Sequence, residues 1–163
     1  MARTPAVLEI RTLLTDLLSR TVDVGATSPW SPARGEPATF AVYVDDALRI
    51  RSAVVADLPF SAYAATAIAL LPNHHARTAI EERGLCEELR ENLTEVLDIC
   101  AAPQNGDCVP RTRLYQVHHA GDAVDRDVTV LGAAVGRRLD LAVRISGYGQ
   151  GRLSFVGVER LRR

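Results

Sequence analysis

Four carboxylates, Glu88, Glu91, Glu95 and Asp98, follow one another at spacings of three, four and three in the stretch from Leu85 to Ala102. Leu85, Leu89, Leu93, Val96 and Cys100 recur there at helical spacing and form an apolar stripe. At about 100° per residue the carboxylates fall within roughly a quarter of the helix circumference, so they make one acidic ridge. No Lys or Arg is interleaved to offset their repulsion, on the order of a few tenths of a kcal/mol per like-charged neighbour, and Arg90 points elsewhere. A solvated face is the plain reading of such a ridge. The chemical reading is that carboxylates held together on a rigid cylinder enter one shallow site at once, where an ionised Asp98 could act as a general base for water. Asn92 lies about a third of a turn from the ridge, between its acidic and apolar sides.

The rest of the chain must position that helix. Thr4-Pro5 followed by Val7, Ile10, Leu14 and Leu17 predicts a first helix from about Pro5 to Arg20. Gly25 to Pro37 reads as a loop, with Trp30 either anchoring it on the core or contacting a partner. Alternation from Phe40 to Val55 predicts a hairpin. Asp57 and Pro59 start a second, alanine-rich helix that ends at Pro72. After the long helix, Arg113 to His118, Val128 to Val135 and Leu139 to Ile145 read as strands. Gly147, Gly149 and Gly151 form a turn into a last strand holding Leu153 and Phe155. This order implies an α/β two-layer sandwich, a largely antiparallel sheet with helices packed on one face.

Other constellations carry less. His74-His75 and His118-His119, with Cys108, lack metal-ligand spacing, and adjacent residues on a strand face opposite sides, so no metal is expected. The glycines at 147, 149 and 151 precede a strand rather than a helix and are no dinucleotide fingerprint, so no cofactor is expected either. Ser146 and Ser154 lack a nucleophile elbow, and Cys100 reads as a core residue. Arg160, Arg162 and Arg163 read as a solvated basic end.

Composition bounds the function classes. The chain has 163 residues and a net charge of −1, which fits one domain over residues 1–163 and disfavours nucleic-acid binding by bulk charge. Hydrophobic residues at 47% exclude disorder as the main state, and no apolar run reaches the roughly 18–20 residues of a membrane span. Three cysteines without a close pair fit reduced thiols and a cytoplasmic setting.

The segment Glu91-Asn92-Leu93-Thr94-Glu95-Val96-Leu97-Asp98-Ile99-Cys100 resembles the signature helix of the CheX, CheC and FliY chemotaxis phosphatases, whose motif is Glu-x-x-Asn. Glu95 falls on the motif glutamate and Asp98 on the asparagine, while the 40–55 hairpin and the alanine-rich helix resemble the single-copy CheX arrangement. The resemblance implies docking on a response-regulator receiver domain through Glu88, Glu91 and Asn92, with Glu95 contacting the receiver and residue 98 positioning water against its aspartyl phosphate. It also implies a homodimer paired through sheet edges, for which the Leu139 to Ile145 strand has the pattern if it lies at an edge. The departure is chemical: an ionised Asp98 only accepts hydrogen bonds, whereas asparagine also donates. Its charge near a phosphoryl group costs roughly 4 kcal/mol per charge pair at about 4 Å and an effective dielectric near 20. Phosphatase activity is therefore expected to be weak or absent, and the alternative is a non-catalytic interaction or dimerisation module.

Overall fold

The computed structural model describes residues 3–106, 111–134 and 136–158, so Cys108, Val135, Arg160, Arg162 and Arg163 lie outside the described residues. The elements in order are α1 (Val7–Leu18), β1 (Val22–Ala26), β2 (Ala38–Val44), β3 (Ile50–Asp57), α2 (Leu58–Ile68), α3 (His74–Glu81), α4 (Glu87–Ile99), β4 (Arg113–His118), α5 (Arg126–Gly132), β5 (Arg138–Ile145) and β6 (Gly149–Gly157). Six strands form one sheet in the order β1-β5-β6-β3-β2-β4, every neighbouring pair antiparallel. This is the α/β sandwich that the order of hydrophobic patterns implied. The strand over Leu139 to Ile145, now β5, lies between β1 and β6, so it offers no free edge for dimerisation. The edges are β1 and β4.

Local chemistry explains the start of α2. Asp57 takes an extended conformation and its Oδ1 accepts the Phe60 N–H at 2.8 Å, with Pro59 in the first turn where a missing N–H costs nothing. Ala62, Ala64, Ala65 and Ala67 are all buried, and their small side chains let α2 lie close to the sheet. The approach is tightest at Gly151 of β6, where a Cβ would stand 2.3 Å from the backbone nitrogen of Phe60. Helices α1, α2, α3 and α4 contribute Ile10, Leu14, Phe60, Ala76, Leu93 and Val96 to one core with Val54, Leu141 and Leu153 of the sheet.

The opposite face of the sheet carries a smaller cluster. Ala38, Phe40 and Val55 alternate with the main-core positions Ala41 and Val54, and Trp30, Val124 and Val128 pack on them. The expected strand from Val128 is instead helical: Asp125 precedes α5, whose Val128 covers this cluster and whose Gly132 lies against Phe40 and Val55. A beta-rich composition misled here because a seven-residue helix offers only one or two apolar turns. Trp30 is thus a loop anchor. Its backbone N–H donates to Asp140 Oδ1 at 3.2 Å and its carbonyl accepts from Arg138 at 2.7 Å. Arg138 and Asp140 form an ion pair at 2.9 Å with side-chain exposures of only 7% and 4%. Arg138 also donates to the Gly132 and Ala134 carbonyls at the end of α5, and Asp140 accepts from Ser154 at 2.7 Å.

The β2–β3 turn is organised by buried Asp45. Its Oδ1 accepts the Ala47 and Arg49 N–H groups at 2.9 and 3.0 Å, and its Oδ2 accepts from Arg51 Nε at 2.7 Å. Arg51 is the extra residue of a bulge in β3 opposite Tyr43 and Val44, which lets it reach the carboxylate. Burial pushes the Asp45 carboxyl up, but these donors outweigh it and hold the group down at about 2. A folded-state value below the unfolded one contributes stability that is complete above the unfolded value of 3.8 and is lost as pH falls through about 2. Thermal unfolding from pH 5 to 2 should therefore show a fall in Tm below pH 4 that is smaller in Asp45→Asn.

Candidate functional site

The site is built on α4, and an apolar seat with four polar anchors fixes that helix. Leu89, Leu93, Val96 and Leu97 are buried beneath it, and Leu85 and Cys100 flank them in the core. Tyr43 of β2 donates its hydroxyl to the Leu97 carbonyl at 2.5 Å, satisfying an acceptor of the last turn. Buried Gln104 donates to the Cys100 carbonyl at 2.9 Å while accepting from Ser52 of β3. Asn92 donates to the Ala65 carbonyl of α2 at 3.0 Å. Arg90 pairs with Asp122 through both carboxylate oxygens and also donates to the Leu85 carbonyl, so its charge is turned away from the ridge.

On the other side of α4, Glu88, Glu91, Glu95 and Asp98 are all exposed. Glu91, Glu95 and Asp98, with Thr94, form one wall of a groove of about 630 Å³. The other wall is the edge strand β4, which contributes Leu114, Tyr115, Gln116 and Val117, and His119 closes one end. Glu88 is outside this lining, and Asn92, its amide bound to α2, does not line the groove either. The electrostatics of α4 are lopsided. Glu87 and Glu88 sit favourably in the first turn, whereas the last turn has no basic residue and holds Asp98 against the negative end of the helix dipole. Among the described residues, no ion pair involves Glu91, Glu95 or Asp98. The arrangement can receive a cation, or accept hydrogen bonds from a partner surface, at two carboxylates one helical turn apart.

Two groove residues, Tyr115 and His119, are not assigned to this site by the sequence, which offers His119 only as a metal-ligand candidate. Tyr115 is the extra residue of a bulge in β4, opposite Val42 and Tyr43, and is 57% exposed beside the acidic wall. The alternation of a short strand gives no sign of such a bulge. His119 is buried, with its Nε2 3.3 Å from Thr94 Oγ1 on α4. Thr94 donates its own proton to the Arg90 carbonyl at 2.9 Å, so the imidazole donates to Thr94. Burial lowers the His119 pKa, and the nearby Arg90 charge acts in the same direction. The ring is thus neutral at pH 7 and adds no charge to the groove.

The remaining candidates are placed elsewhere. His74 and His75 stack on each other at 4.3 Å in α3. Among the described residues, no cluster of three His, Cys, Asp or Glu side chains could hold a metal ion. Cys100 is buried, which pushes its thiol up to about 12 and leaves it unreactive. No helix among the described residues is long and apolar enough to cross a membrane.

No protein-family model matches this sequence, and no curated protein matches it by sequence similarity. Solved structures do match by fold. The FliM middle domain from Vibrio alginolyticus aligns with a TM-score of 0.59 at 10% identity, over 92% of this chain and 86% of that one. FliY from Thermotoga maritima aligns at 0.52 and 11% identity, over 94% and 84%. The CheX–CheY–BeF3–Mg2+ complex from Borrelia burgdorferi supplies a chain that aligns at 0.53 and 11% identity, over 94% and 99%. With its six antiparallel strands and the long, half-buried helix beside the β4 edge, the chain has the fold that CheX, FliY and the FliM middle domain share.

Proposed function

We propose that this domain is a chemotaxis-type signalling module that docks on a response-regulator receiver through the α4 groove, with Glu95 contacting the receiver and Asp98 standing where a water-positioning amide is required. The observation that carries this reading is that Glu95 and Asp98 are exposed together on one wall of the groove, on a helix held rigid from beneath. The matched complex in which CheX is bound to CheY supports a receiver as the partner class. Hydrolysis of the receiver's aspartyl phosphate needs a water aligned for in-line attack on phosphorus, and alignment supplies most of the effect. Asp98 aligns it poorly, because the carboxylate donates no hydrogen bond and repels the phosphoryl oxygens. The native chain thus hydrolyses the phosphate slowly or only binds.

The test is to time phosphate loss from a phosphorylated receiver with and without the protein. Asp98→Asn should accelerate loss at least about tenfold over the native chain, since removing even 1.4 kcal/mol of repulsion is worth that factor. The same change relieves the clash with the helix dipole, so Tm should hold or rise slightly. Glu95→Ala should weaken receiver binding. A second reading, a purely binding module, rests on the acceptor-only chemistry of the Asp98 carboxylate. Under it, the asparagine variant alters affinity and leaves the rate of phosphate loss unchanged.

A further inference from the structure

A second cavity, of about 600 Å³, shares no lining residue with the α4 groove. It lies between the 32–37 segment, the turn that follows α3, the turn that follows β4, and α5. Its apolar lining comes from Ala38, Phe40 and Val124, and its charged lining from Arg34, Arg83, Glu36 and Asp122. The two signs are not equally available. Asp122 has both oxygens engaged by Arg90, and one also accepts the His119 N–H at 3.1 Å. Glu36 accepts the Ala33 N–H at 2.8 Å, bracing the turn in which it stands. Arg83 makes a single contact, from NH2 to the Gly35 carbonyl at 3.2 Å, and Arg34 has no hydrogen bond or ion pair among the described residues. Arg34 and Arg83 thus line the cavity as exposed side chains with most of their donors unpaired, beside a Glu36 carboxylate that has one oxygen engaged.

The backbone of Arg83 makes its identity informative. It adopts φ +57 just after α3, in the left-handed position that ends many helices, with Gly84 N–H returning to the Ala79 carbonyl at 3.1 Å. Glycine is the residue that fits this conformation, and Gly84 stands immediately after it. Gly121, at φ +97, locks the turn from outside, since a Cβ there would stand 3.0 Å from the Arg83 carbonyl oxygen. An arginine held in a glycine position, extending its side chain to Gly35 across a part-apolar cavity, runs against local preference. Ser19, Leu48 and Leu70 adopt the same left-handed conformation, so what sets Arg83 apart is the cavity its side chain spans.

We propose that this cavity binds a small organic anion, a carboxylate or phosphate monoester on a ring-sized apolar body. Arg34 and Arg83 take the anionic head, and Phe40 with Val124 takes the body. The volume is in the range of small-molecule sites, and paired guanidiniums match the geometry of either head group.

Amide chemical shifts of the full chain, followed while phenyl phosphate, benzoate or inorganic phosphate is added, test this. Saturable shifts at Gly35, Gly121 and Thr129 are expected with one or both ring-bearing anions, and the tighter of the two identifies the head group. Inorganic phosphate should bind at least tenfold more weakly. Arg83→Gly keeps the left-handed turn, so its Tm should match or exceed that of the native chain while affinity for the ring-bearing anion falls at least tenfold. Arg34→Ala, on an exposed turn, should weaken binding in the same direction. The proposal is overturned if those amides show no saturable shift in the millimolar range, if inorganic phosphate binds as tightly as the ring-bearing anions, or if a folded Arg83→Gly retains native affinity.

Discussion

Gly151→Ala should leave the domain unfolded or destabilised by about 4 kcal/mol, at the upper end of what one methyl group does. The added Cβ would stand 2.3 Å from Phe60 N and 2.6 Å from Phe60 Cα and Cβ. These are mostly backbone atoms, and neither partner can yield. The start of α2 is held by the Asp57 cap to that same Phe60 nitrogen, and β6 is paired to β5 through Gly151 itself, opposite Val143, and to β3 from Leu153 onward. Relief would require α2 to lift off the sheet, taking with it the Ala65 carbonyl that holds Asn92 of α4. Urea unfolding with an amide correlation spectrum checks this, with Gly25→Ala as the control. A Cβ at Gly25 meets nothing within 4 Å, so that variant should keep the native spectrum. A native midpoint for Gly151→Ala would show that α2 is free to shift.

The second large effect is expected at the opposite face of the sheet. Asp140→Ala should cost about 3–5 kcal/mol, because it strands the buried Arg138 guanidinium without its counter-charge and leaves Ser154 without its acceptor. Trp30 is the only tryptophan, and its N–H is bound to Asp140 while its carbonyl is bound to Arg138. Its emission should shift to the red in this variant while the 113–118 strand and the α4 groove keep their amide shifts. For a chain of this length the loss corresponds to a Tm lowered by roughly 10 °C. Replacing both residues with apolar ones of similar size should recover part of it, since the uncompensated charge is then gone.

Much of this architecture was legible in the sequence, and what was missed has identifiable causes. Helix α4 was readable because thirteen residues keep one period, with Leu89, Leu93 and Val96 inward and Glu88, Glu91, Glu95 and Asp98 outward. Asp57 marked the start of α2 through its capping oxygen, and the alternating Leu139 to Ile145 run marked β5. Helix α1 begins at Val7 rather than Pro5, because Thr4 makes no cap and Ala6 takes the extended conformation before it. Strand β1 was hidden because only Val22 of its five residues is buried, and α3 because His74 and His75 at its start obscure the inward Ala76 and Ala79. Helix α5 shows strand-like alternation at Val128 and Val130, although only Val128 of the two packs inward and Val130 is 61% exposed. At the site, the outward placement of the ridge was visible from period alone. The role of Asn92 was not, since its partner is a backbone carbonyl on another helix.

The kink that Tyr115 introduces into β4 has a further effect on how the molecule behaves in crowded solution. An outermost strand with an even ladder of unpaired amides invites another chain to lie alongside it. The irregular spacing here offers a visiting strand only short stretches of matched partners on either side of the tyrosine. Fibril-like stacking along this rim is thereby discouraged, while the projecting phenol remains available to a surface that meets it side chain to side chain.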